Sequence, residues 1–131
     1  MRIDHAGNVG ISTTQMHGYR LAVNGDAIFT KVKVKAFNTW PDYVFDDAHH
    51  RPALTDLEKY VQQNKRLPGM PSATEVAVQG IDLGEMNRKL LEKVEELTLY
   101  IIEQHKKSEQ QEKRLNVQQQ QINALQQKLG D

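Results

Sequence analysis

The hydrophobic pattern of this chain changes period twice. Near the start apolar residues come in short clusters, Val9-Gly10-Ile11 after Gly7-Asn8, and Leu21-Ala22-Val23 before Asn24-Gly25. From Ala27 to Val34 they alternate, with Ile28, Thr30, Val32 and Val34 on one side and Phe29, Lys31 and Lys33 on the other. A period of two predicts a half-buried strand, and Asn24-Gly25 predicts a hairpin turn feeding it. Such strands are too few and too short to close a core by themselves, so they call for partners from other chain segments or other subunits.

In the middle of the chain, Thr55-Asp56-Leu57-Glu58 fits a capping box, and Leu57, Tyr60 and Val61 then share one helical face. That helix is expected to fail near Asn64-Lys65. The run Leu67-Pro68-Gly69-Met70-Pro71 cannot continue it, because each proline removes a donor and fixes φ. Ser72-Ala73-Thr74-Glu75 predicts a second capped helix, ending at Gly80.

After Asp82 a seven-residue period takes over and holds to Leu129. With Ile101 at position a, the a positions are Asn87, Val94, Ile101, Ser108, Leu115, Ile122 and Leu129. The d positions are Leu83, Leu90, Leu97, Gln104, Gln111, Gln118 and Leu125. Nine of these fourteen are apolar, which predicts a coiled coil. One straight helix over this stretch is about 70 Å long. No second helix of matching length exists in the chain, so copies of itself or a partner chain must fill the seam. Val94, Leu97 and Ile101 follow the dimer preference, whereas the polar layers Gln104, Ser108, Gln111 and Gln118 favour hydrogen bonding around a three-fold axis. Leu91 and Thr98, at e, widen the apolar stripe near the start of the helix, where the middle segment is expected to pack.

Composition agrees with this division. Residues 1–40 are β-type and net positive, residues 41–80 hold all four prolines, and residues 81–131 are rich in Leu, Glu, Lys and Gln. The 17 basic and 17 acidic residues cancel, which argues against a bulk electrostatic grip on nucleic acid or anionic lipid. No apolar run is long enough for a membrane-spanning helix. With no cysteine, thiolate zinc sites and cysteine nucleophiles are excluded. The first residues, MRIDHAGNVG, have no signal-peptide pattern and read as a strand cut from a longer protein.

Candidate chemistry is sparse. His49-His50 invites a metal, but adjacent histidines diverge and no acidic or thiol spacing completes a site. Asp42, Asp46 and Asp47 are carboxylates in a Pro-rich loop, where ordinary turn chemistry outweighs acid–base catalysis. Lys31, Lys33 and Lys35 line one side of the expected strand, as edge lysines do. His105, at e, is expected to be solvated. No enzyme, cofactor or metal is expected.

Three longer sequence words carry a family resemblance. They are Thr39-Trp40-Pro41-Asp42-Tyr43-Val44-Phe45, the stretch Leu67 to Val76, and the stretch Gly80 to Ile102. They resemble the C-terminal intramolecular chaperone domains of phage tailspikes and tail fibres, in a Bacteroidota-type variant, while Gly7–Ile11 and Leu21–Gly25 resemble the shaft elements that precede such a domain. The resemblance implies a homotrimer that nucleates folding of an upstream β shaft, on a virion tail fibre or at the cell surface. Cleaving members of that family use serine followed by aspartate, with a lysine a few residues on. Here Pro41-Asp42 and Asp46 occupy those places, and proline is no nucleophile, so no self-cleavage is expected.

The combined expectation is an α+β chain. Residues 1–38 form a β-rich shaft end, residues 39–81 a small α-containing head, and residues 82–131 a parallel trimeric coiled coil. Leu83, Leu90, Val94, Leu97, Ile101, Gln104, Gln111, Leu115, Gln118, Ile122 and Leu125 are its expected trimer core. Trp40, Tyr43 and Phe45 are the expected anchor between head and shaft. The alternative is a fibre tip that binds a receptor or glycan.

Overall fold

A computed structural model describes residues 1–35 and 40–130. It is α+β, with a small three-stranded mixed sheet and three α-helices, the last very long. The chain divides into two units, residues 1–34 and 35–131, each described by itself.

The first unit is the sheet. Strand β1 (Arg2–Ile3) pairs antiparallel with β2 (Val9–Ile11), Arg2 opposite Gly10. Strand β3 (Leu21–Val23) pairs parallel with β2, Gly10 opposite Ala22. Asp4 shapes the first turn. Its Oδ1 accepts from the backbone N–H groups of Ala6 and Asn8, both at 2.9 Å, and Gly7 takes the left-handed φ of +80° that this turn requires. The parallel connection 12–20 doubles back tightly over β2. Met16 is buried there, and a Cβ on Gly10 would lie 2.4 Å from the Thr13 carbonyl oxygen, so only glycine fits.

The hairpin expected at Asn24-Gly25 is absent, and Ala27–Val34 is not a strand. Asn24 instead prolongs the β2–β3 ladder, its backbone N–H donating to the Ile11 carbonyl at 3.0 Å. Among the described residues the alternating run has no ladder partner and buries no face, and Ile28 is 98% exposed. Period-two patterning needs both to become a strand.

The second unit begins with a 3₁₀ turn, Pro41–Phe45, in which Pro41 and Val44 are buried. Helix α1 (Leu54–Asn64) follows. The capping box expected at Thr55 and Glu58 does not form, because the helix starts earlier, with Ala53 as its cap and no side-chain cap bond. Thr55 already lies inside the first turn, and the Ala53 carbonyl accepts from the Leu57 N–H at 2.9 Å. Lys65 closes the helix in the left-handed region, where the sequence expects it to end. Helix α2 (Ala73–Gln79) carries the complete box expected for it. Glu75 N–H donates to Ser72 Oγ at 3.2 Å, and Ser72 N–H to Glu75 Oε2 at 2.7 Å.

Helix α3 runs unbroken from Leu83 to Gly130, 48 residues. Asp82 caps it by accepting from Glu85 N–H at 2.8 Å. No helix among the described residues is long and apolar enough to cross a membrane.

Candidate self-association surface

Around a heptad helix the positions follow the order a, e, b, f, c, g, d. The head packs on the back of this wheel. From Gly84 to Tyr100, every residue at b, c, e, f or g except Thr98 is at least partly buried, whereas the seam residues Asn87, Leu90, Val94 and Leu97 are all exposed. The covered back mixes charge with apolar chains: Arg88, Glu92, Lys93, Glu95 and Glu96 are shielded beside Met86, Leu91 and Leu99, while Leu90, Val94 and Leu97 face water.

The shielding is polar and reaches across some 45–50 residues of sequence. Tyr43 donates its hydroxyl to Glu92, and Arg88 Nη1 donates to the same phenolic oxygen at 3.1 Å. Arg88 also grips Glu85 through Nε at 3.0 Å and Nη2 at 2.6 Å. His49 Nε2 lies 2.9 Å from Glu96 Oε1, and Lys93 Nζ 2.9 Å from Glu96 Oε2. Tyr100 donates to the Pro52 carbonyl at 2.5 Å, with the Arg51 guanidinium 4.6 Å over its ring.

This network tunes its members. The bond to Glu92, with burial second, raises the Tyr43 pKa. Burial raises that of Glu92, but the Tyr43 bond and the charges of Lys93 and Arg88 outweigh it and hold the carboxyl below its ordinary value. Burial lowers that of Lys93, and Glu96 and Glu92 more than restore it. Glu95 is shifted upward by burial first, then by Asp42 and Glu92, and its Oε2 has no hydrogen-bond partner among the described residues.

The eleven expected trimer-core residues, Leu83 to Leu125, lie along one face of α3, and all are exposed in the single chain. Apolar seam exposure runs from 47% at Leu90 and Ile122 to 87% at Leu129. From Ile101 to Gly130 every residue is exposed, including Gln104, Ser108, Gln111 and Gln118. Of the three expected anchors, Tyr43 reaches α3, while Trp40 and Phe45 are 58% and 54% exposed. Pro41 and Val44, the buried positions of the same 3₁₀ turn, are not among the expected anchors. Their i, i+3 spacing was the available signal.

His49 is engaged with Glu96, and the described residues contain no group of three or more His, Cys, Asp or Glu that would hold a metal ion. Asp42, Asp46 and Asp47 are exposed. Comparison with protein-family models, with curated proteins and with solved structures finds no match.

Proposed function

We propose that this chain is a homotrimerisation and intramolecular chaperone domain of a fibre or tail-spike-like protein, on a virion tail fibre or at the cell surface. Its role is assembly rather than catalysis. The observation that carries the reading is the division of α3 from Gly84 to Tyr100 into a shielded back rich in charged residues and an exposed apolar seam, a seam that stays exposed to Leu129. Burying a Leu or Ile side chain is worth about 1.5–3 kcal/mol, so each seam layer favours association with further copies. The sequence resemblance and the polar glutamine layers favour three.

Assembly then serves folding. Zipping three helices raises the local concentration of three β segments to that of a tethered system. Non-local strand pairing, slow because loop closure must precede it, becomes effectively intramolecular. The unpaired alternating run Ala27–Val34 is the kind of segment that gains a ladder this way.

Sedimentation equilibrium of the chain at micromolar concentration tests the reading. The expected mass is three times 15.0 kDa. A monomer overturns it, and a dimer reduces it to a coiled-coil adaptor.

A second reading, a glycan- or receptor-binding tip, draws on the exposure of Trp40 and Phe45. Trp40 is the sole tryptophan, so a shift of its emission on adding a glycan reports binding there directly.

A further inference from the structure

A groove of about 270 Å³ runs along one flank of α3. The helix supplies one wall through Leu90, Val94 and Leu97, and Leu57, Leu67 and Pro68 supply the other. Lys93 and Tyr100, both at g, line it as well, with Glu96, at c, and Pro52 at its back, so the groove is centred on the d–g flank. In a parallel assembly of heptad helices the d–g flank of one copy faces the a–e flank of the next. At this height that flank presents Val94, Thr98 and Ile101, all exposed. Thr98 is the one off-seam residue between Gly84 and Tyr100 that its own head leaves uncovered. Its hydroxyl donates to the Val94 carbonyl at 2.8 Å, so it can enter an apolar groove without leaving an unpaired donor.

Charge selects the direction of the incoming helix. The g positions include Lys93, Lys107, Arg114 and Lys128 and no acidic residue. Antiparallel packing sets g against g and opposes these cations. Parallel packing sets g against the e position five residues on, which places Lys107 opposite Glu112 of a second copy and opposes no like charges.

We propose that the groove is a clasp that receives Val94, Thr98 and Ile101 of α3 from a second copy in parallel register. This rests on the trimer reading above and adds the head to the interface: each copy holds its neighbour between its own helix and its Leu57–Leu67–Pro68 wall.

The chain has no cysteine, so introduced thiols are the only ones present. Chains carrying Leu67→Cys and Thr98→Cys, with different tags, are unfolded together, refolded and treated with a short bis-maleimide linker. A covalent pair bearing both tags is expected roughly ten-fold faster than in a mixture of Leu67→Cys with Gln120→Cys, at the outward f position, since a short linker gives a high effective concentration only between sites it can span. Leu57→Cys in place of Leu67→Cys, from the same wall, is expected to give the same preference. Equal rates, or a preference for Gln120→Cys, overturn the clasp. If the mass is still that of three chains, the trimer reading survives that failure. A monomeric mass with full helix content overturns both.

Discussion

The phenolic oxygen of Tyr43 is held between Glu92, to which it donates, and Arg88, from which it accepts, joining the 3₁₀ turn to the back of α3. Tyr43→Phe removes this link and leaves Glu92 with a weaker partner set. The expected loss is about 1.5 kcal/mol, at the modest end for a bond to a charged group because the site is only partly buried. The pH dependence follows from the two shifts. Glu92 sits below its unfolded pKa, so its contribution is present above about pH 4.5 and fades as the pH falls through the lower folded value. Tyr43 sits above 10.0, so its contribution holds below pH 10.0 and fades as the pH rises through the higher folded value. Thermal melts across pH should fall at both ends, and Tyr43→Phe should flatten the alkaline limb.

Glu95→Gln is expected to raise the melting temperature at neutral pH. The native carboxylate is buried near Asp42 and Glu92, and its charged form is disfavoured there. Because the folded pKa is raised, the penalty disappears once the carboxyl is protonated, so the gain of the variant should vanish in acid. An equal gain at both pH values would show that charge is not its cause.

Leu97→Asp places a carboxylate in a seam layer and is expected to shift the sedimenting mass to a single chain. Far-ultraviolet circular dichroism should fall with it. A 48-residue helix exposed along all its seam depends on association more than on propensity.

Gln111→Leu should act in the opposite sense on stability. Replacing a polar d layer with leucine adds apolar burial and raises the melting temperature, while removing one device that fixes register and copy number. Sedimentation velocity should then resolve more than one assembled species.

Ser72→Ala is expected to cost about 1 kcal/mol, because its hydroxyl closes the α2 box. Thr55→Ala should be near neutral, since Thr55 caps nothing. Paired urea melts distinguish the two.

Much of the second unit was legible from local signals. The Ser72–Glu75 box, the stop at Lys65 and the long helix from Leu83 depend on residues a few positions apart, and the sequence carries them openly. The Thr55 box was a false signal, as its spacing was right but the helix is capped at Ala53 and begins at Leu54, two residues earlier than the box requires. The strand expected over Ala27–Val34 failed because alternation describes a surface and says nothing of what covers it. Least legible was the back of α3. Periodicity marks the seam, but Tyr43 with Glu92 and His49 with Glu96 meet across 49 and 47 residues, and no spacing rule reports such pairs.

The polar stretch of α3 bears on alignment between copies. In the proposed trimer, sliding one helix by a heptad displaces it by about 10 Å, or some three residues of an extended ribbon. That slip would bring Leu97 of one copy level with Gln104 of another and Leu125 level with Gln118, stranding glutamine amides among aliphatic chains at two heights, with Asn87 level with Val94 at a third. In that proposed assembly the glutamines would serve as a vernier, converting an axial error too small to matter to a smooth greasy rod into one that is felt before any ribbons begin to pair.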